Sequence, residues 1–393
     1  MSIFALHQSV LEDYRSFIHA FVRVADDRIR RFVDDVLLEH DHFWPEPLLQ
    51  LSPAYRVEAD VDELARSGLL HPETAQVFRR AGDGSPYRLF AHQVAALRAA
   101  AEGRSYIVTS GTGSGKSFCY FIPIFDAIVR APGEPGPVAL VVYPMNALVN
   151  SQLQALRELR EAYERRTGRA FPLRFARYTG ETPDEEREEI RRDPPHLLLT
   201  NYVMAELLLV RPEDRPLVRA RPDARLPFFL VFDELHMYRG RQGADVAMLV
   251  RRLKARLQRP RMVHVGTSAT LVARPGAGPE ERRQAVSEFA SRFFGHAFGP
   301  DDVIEETLEP ATRGDSPTGH ELRAALSAPL PEEKEAFLTH PLVRWIELAL
   351  GLEVESDGTL RRRRPRTLSE LAAELAGLTG VPVEQCRERI EAA

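Results

Sequence analysis

One nine-residue stretch limits what this chain can fold into: Thr109-Ser-Gly-Thr-Gly-Ser-Gly-Lys-Ser117. It follows a short apolar β-type run, Tyr106-Ile-Val108, and precedes Phe118, Phe121, Ile122, Phe125 and Ile128, which are apolar at helical spacing. Gly111, Gly113 and Gly115 let the backbone turn tightly and approach a ligand closely. The N–H groups of Thr112, Gly113, Ser114 and Gly115, with the N-terminus of the following helix, create positive potential suited to a polyphosphate. Lys116 adds a mobile ammonium and Ser117 a hydroxyl able to hold Mg²⁺. A glycine-rich turn with no ligand is the plainer alternative, and the conjunction of strand, loop, Lys-Ser and helix argues against it. Composition sharpens the reading. Of 52 basic residues only Lys116, Lys254 and Lys334 are lysines, so a chain biased to arginine has placed a compact point charge where phosphates would sit. The strict GxxxxGK[ST] pattern asks for glycine at position 110, where this chain has Ser110.

Six short apolar runs alternate with helical stretches between about 86 and 275: 106–109, 138–143, 173–178, 196–200, 228–232 and 262–267. Continuous apolar strands flanked by helices predict a parallel sheet covered on both faces, with ligands beyond the carboxyl ends of its strands. Chemically apt residues follow these runs. Asp233 and Glu234 end the fifth; an aspartate there can hold magnesium and a glutamate can deprotonate an attacking water, although acids also favour helix N-termini for the dipole alone. Ser268-Ala-Thr270 ends the sixth.

Ser110 to Ser117, Asp233-Glu-Leu-His236 and Ser268-Ala-Thr270, in this order and at these separations, resemble motifs I, II and III of the first motor lobe of superfamily 2 DExH-box helicases. Phe90-Ala-His-Gln93 resembles their Q motif; Val142 to Leu148, Tyr178-Thr-Gly180 and Thr200-Asn201 fall where motifs Ia, Ib and Ic would be. The stretch Asp233 to Gly240 and the Tyr-Pro-Met-Asn-Ala-Leu segment are similar to the large bacterial YprA-type, RecQ-like helicases that end in a cysteine-rich domain. The resemblance implies a RecA-like P-loop NTPase fold binding ATP and Mg²⁺. Lys116 would neutralise the β/γ-phosphates, Ser117 and Asp233 would hold the metal, Glu234 would be the base, and Gln93 would read adenine, with Tyr87 or Phe78 stacked on it. His236, Ser268 and Thr270 would couple nucleotide state to grip. Asn146, Thr179, Gly180, Thr200 and Asn201 would hold the phosphates of a single strand or partly duplex nucleic acid, expected to be DNA, unless they are ordinary strand ends and caps. Arg239 and Arg241 would add to that groove or lie in a solvated loop.

The expected organisation is an N-terminal helical layer over 1–85, the RecA-like lobe over 86–310, and a helical inter-lobe segment over 311–393 that stops before a second lobe carrying the arginine finger. In the first zone Val10, Tyr14, Phe17, Phe21, Ile29, Phe32, Val33, Val36 and Leu37 have helical spacing, and Trp44-Pro-Glu-Pro47 breaks the run. Two cysteines without metal-ligand spacing exclude a zinc site or disulfide framework in this chain, and no apolar run approaches a membrane span. The expected location is the cytoplasm. A formal charge of −5 lacks a global nucleic-acid-binding signature, so any track must be held by a local groove. Two functions stay open: half of an ATP-dependent DNA helicase or translocase, of 3′–5′ polarity and acting in repair or phage defence, or an ATP-gated binding module without turnover.

Overall fold

In the computed structural model, residues 3–21, 24–32, 34–35, 46–111, 113–269, 278–355 and 358–393 are described. Val33, Val36, Leu37, Trp44, Thr112 and Thr270 lie outside them. The chain forms two compact units, one over 55–307 and one joining 1–54 to 308–393.

The 55–307 unit is built on seven strands: β1 (Tyr106–Thr109), β2 (Ala139–Tyr143), β3 (Phe175–Arg177), β4 (Leu197–Asn201), β5 (Phe228–Phe232), β6 (Met262–Ser268) and β7 (Val303–Glu305). Their spatial order is β7-β1-β6-β5-β2-β4-β3, and every neighbouring pair is parallel. The six runs predicted from sequence are all strands. The seventh comes from the acidic 301–310 segment, whose sequence suits either a strand or a turn.

Side chains on these strands alternate between two cores, as the pleat requires. Tyr106, Val108, Val141, Leu197, Leu199, Val231 and Val265 join one cluster; Ile107, Leu140, Val142, Leu198, Leu230 and Phe232 join the other. Helices α1 (Ala91–Ala101), α2 (Phe118–Arg130) and α3 (Asn146–Thr167) close the first face. The second is closed by α4 (Asp184–Arg192), α5 (Tyr202–Val210), α6 (Gly240–Leu257) and α7 (Pro279–Phe294). Each fully buried aliphatic or aromatic side chain contributes ~1.5–3 kcal/mol, so a sheet with both faces covered makes a stiff platform for its carboxyl edge. This is the RecA-like α/β fold.

The other unit has its own core of Leu322, Leu326, Leu342, Trp345, Leu350, Leu368, Leu371, Leu375, Cys386 and Ile390, with Phe4 and Leu49 packed against it. Its N-terminal helix, Ile3–Phe21, follows the predicted periodicity, yet Val10, Tyr14, Phe17 and Phe21 are exposed. Helical apolar spacing runs through 332–352 and 368–390, and each stretch is divided. Pro341 starts a new helix at its first position, and Gly380, at φ +69°, with Pro382 separates Leu368–Thr379 from Val383–Ala392. Among the described residues no helix is long and apolar enough to cross a membrane.

Candidate nucleotide-binding site

The carboxyl ends of β1, β6 and β5 lie side by side and carry the three segments singled out above. The loop after β1 is tied to its neighbours at both ends. Ser110 N–H donates to Ser268 O (3.1 Å), and Gly111 N–H donates to the carboxylate of Glu306, just past β7 (2.6 Å). Inside the loop the Ser110 and Ser114 hydroxyls lie 2.6 Å apart, and Lys116 Nζ donates to Ser110 O and Gly111 O at 3.1 Å each. Gly113 and Gly115 have φ of +81° and +69°, which L side chains adopt at a cost. A Cβ at Gly115 would also stand 2.6 Å from Gln93 Nε2 and push that amide off the loop.

Gln93 and His92, adjacent on the first turn of α1, clasp the same loop from below. Gln93 Oε1 accepts from Phe90 N–H (2.9 Å) while its Nε2 donates to Gly115 O (2.9 Å) and Ser114 O (3.3 Å); His92 Nε2 lies 3.0 Å from Ser114 O. Burial pushes the His92 imidazole below its ordinary pKa and favours the neutral form. Of the two candidate stacking rings, Phe78 is fully buried against Phe118 and Phe125, whereas Tyr87 is only half-buried and meets Phe118 edge-on (5.1 Å).

Asp233 and Glu234 leave β5 in opposite electrostatic settings. Asp233 is 8 % exposed and accepts a short hydrogen bond from the Thr267 hydroxyl. Burial first, then the neighbouring Glu234 charge, push its pKa up to about 6, against the pull of Thr267 and Lys116. Behind it the hydroxyls of Tyr120 and Tyr143 touch each other (3.2 Å) in full burial, and the buried Tyr238 hydroxyl has no hydrogen-bond partner. Glu234 has φ +52° and ψ +53°, a left-handed backbone that costs a non-glycine residue ~1–2 kcal/mol. Its N–H donates to Thr267 Oγ1 (3.2 Å), and its carboxylate lies 3.2 Å from His236 Nδ1 without the alignment of a hydrogen bond. Ser268 Oγ lies 3.3 Å from the same nitrogen. Lys116, Ser117, Asp233, Glu234, His236 and Ser268 thus come from three adjacent strand ends. Sequence reasoning missed Thr267, which links the two acids, and Glu306; Thr267 is recognisable by its place one residue before Ser268, whereas Glu306 has no local signal.

These residues fit a magnesium nucleotide. A buried carboxylate beside a second acid suits a divalent cation, and a glycine loop with a lysine bonded to carbonyls offers donors to an anion. Among the described residues no group of three or more His, Cys, Asp or Glu could hold a metal unaided. Mg²⁺ takes one or two protein ligands and completes its shell with phosphate oxygens and water.

The second half of the carboxyl edge, over β2, β4 and β3, brings together Asn146, Asn201 and the Thr179-Gly180 turn. Asn201 caps α5 by accepting from Met204 N–H (2.8 Å) and donates to Asn146 Oδ1 (2.6 Å). Thr179 and Thr200 are fully buried: the Thr200 hydroxyl donates to Tyr178 O (2.6 Å), and the Thr179 hydroxyl accepts from Glu181 N–H (3.3 Å). Gly180 is exposed, as are Arg239 and Arg241.

Residues 90–275 match the family model described as DEAD/DEAH box helicase. Druantia protein DruE of Escherichia coli strain UMEA 4076-1 is 27% identical over 371 residues, covering 67% of this chain and 20% of that protein. The uncharacterized ATP-dependent helicase YprA of Bacillus subtilis is 29% identical over 195 residues, covering 49% of this chain and 24% of that one. The chain therefore spans a quarter or less of the length of these relatives. Among solved structures, DUF1998 helicase MrfA bound to DNA and AMPPNP superimposes with a TM-score of 0.50 at 20% identity, over 79% of this chain and 43% of that one, a likeness of fold. With motif-bearing strand ends and family match in agreement, this chain carries a DEAD/DEAH box helicase domain over residues 90–275.

Proposed function

We propose that the chain is the Mg-ATP-binding lobe of a nucleic-acid-dependent DExH helicase or translocase acting on DNA, with 3′–5′ polarity and a role in repair or phage defence. The observation that carries the reading is the convergence of Lys116 after β1, Ser268 at the end of β6, and Asp233, Glu234 and His236 after β5 on three adjacent strand ends. A structural neighbour solved bound to DNA supports the choice of DNA.

Bound Mg-ATP would supply the phosphoanhydride and a cation that neutralises charge on the departing phosphate. The chain's own residues do the rest. The loop N–H groups and Lys116 bind the phosphates, exchanging carbonyl partners for anionic ones. Ser117 and Asp233 would hold the metal. Glu234, aimed by its left-handed backbone, takes the proton of the attacking water. His236 and Ser268 sense its position. A second RecA-like lobe is needed to complete the site with an arginine, so this chain alone binds nucleotide and does not separate strands. Replacing Lys116 by alanine removes a charged donor worth ~1.5–3 kcal/mol, and calorimetric titration with Mg-ATP reads that loss. Unchanged affinity would overturn the assignment.

A further inference from the structure

Glu181 sits in a receptor made for an anion. Its Oε1 accepts from Asn146 Nδ2 at 2.8 Å and its Oε2 from Asn150 Nδ2 at 3.1 Å, with Arg177 Nη1 at 3.6 Å. Both asparagine amides are oriented from behind. Asn201 Nδ2 donates to Asn146 Oδ1, and Arg177 Nη1 donates to Asn150 Oδ1 (2.7 Å), so each amide can only turn its NH₂ toward the carboxylate. Two separate relays, one begun at the α5 cap and one at a guanidinium on β3, therefore end on the two oxygens of a single anion. A carboxylate and a phosphodiester each present two anionic oxygens to such donors.

Glu181 is also displaceable. Its side chain is 50% exposed, on the turn beside Gly180, and it is held in the charged form by the asparagine donors, below its ordinary pKa. The receptor lies on the carboxyl edge of the sheet, where the fold presents its ligands.

We propose that Glu181 is a built-in competitor for the nucleic-acid backbone: its carboxylate occupies the Asn146–Asn150–Arg177 receptor and must be displaced by a phosphate before a strand is gripped. Asn150 and Arg177 thereby become phosphate-binding residues, and Glu181 sets how readily the lobe lets go. The inference rests on the nucleic-acid reading above. Its physical content is an exchange of one internal anion for one external anion, so binding is weakened without loss of the donors' geometry.

The test is fluorescence anisotropy of a labelled oligodeoxythymidylate against the 393-residue chain and its Glu181→Gln and Glu181→Ala variants across a salt series, with Mg-ATP affinity as the control for folding. Both variants bind the oligonucleotide about three- to tenfold more tightly at low salt, the range of a partly exposed ion-pair cluster. The magnitude of the log–log salt slope rises by about 0.7, because Arg177 is freed to neutralise a phosphate. Adding Asn150→Ala to Glu181→Ala removes the gain. Wild-type binding that neither variant improves, with Mg-ATP affinity intact, overturns the competitor role alone. If neither wild type nor variants bind at any salt, the nucleic-acid reading falls and takes the proposal with it.

Discussion

Thr267 holds the two acids of the site in register. Its hydroxyl donates to buried Asp233 and accepts from Glu234 N–H, so one oxygen satisfies a carboxylate and pins a strained backbone. Thr267→Val keeps the shape and removes both bonds, leaving a buried carboxylate without its donor; a loss of ~1–3 kcal/mol in urea unfolding is expected, with weaker Mg²⁺-dependent nucleotide binding. Unaltered unfolding midpoints would mean that water replaces the hydroxyl. Glu234→Gln tests the neighbouring position differently: under the proposed function, with a second RecA-like lobe supplied, Mg-ATP still binds while nucleic-acid-stimulated phosphate release is lost, and retained release would exclude Glu234 as base. Sequence marked Lys116, Ser117, Asp233 and Glu234 because spacing to a glycine loop and to strand ends is local information. It did not reveal that Gln93 and His92 grip the loop's carbonyls from α1, or that Glu306 caps Gly111, because those partners are brought near only by sheet order.

At the scale of elements, β6 joins the site to the opposite edge of the sheet. At its carboxyl end Gly266 leaves room that a Cβ would fill 2.2 Å from Leu235 Cδ1 and 2.9 Å from Ile107 Cδ1, so Gly266→Ala displaces the turn bearing Asp233 and Glu234 and destabilises the fold by ~1–3 kcal/mol in the same unfolding assay. Toward its other end, buried His264 bonds Ser105, stacks on His296 at 4.6 Å and lies near Lys254. Burial first, then the Lys254 and His296 charges, lower its pKa to about 3. A base depressed in the folded state is protonated first in the unfolded chain. Stability from this group is therefore full above pH 6.5 and falls as pH drops toward 3, with a slope up to ~1.4 kcal/mol per pH unit. Urea midpoints between pH 7 and 5 read this slope, and His264→Leu flattens it; an equal slope in both would assign it to other groups. Most of the strands were legible because they are near-continuous apolar runs, as in Ala139–Tyr143 and Phe228–Phe232. The edge strand β7 was not resolved from a turn, since Val303-Ile-Glu305 is too short and half-polar to show a period; pairing with β1 makes it a strand.

For the molecule as a whole, the decisive property is that it carries separate hydrophobic cores in two units, one folded from a continuous stretch and the other from both ends of the chain. That second grouping was illegible in the sequence, where 1–85 reads as one helical layer: contacts between residues some 300 positions apart, such as Leu48 and Leu49 paired with Thr367 and Arg366, leave no local period. All residues of the nucleotide site belong to the 55–307 unit. A ligand that binds one folded unit stabilises that unit by RT ln(1 + [L]/Kd), about 2.7 kcal/mol at a hundredfold excess over Kd, and gives nothing to a core that unfolds independently. Calorimetric melting of the 393-residue chain should then resolve two transitions, of which saturating Mg-ATP raises one by several degrees and leaves the other in place. The Lys116→Ala chain should show both transitions and no shift. A single transition that moves as a whole with nucleotide would show instead that the two cores unfold as one, and that the nucleotide site communicates with the second unit through shared stability.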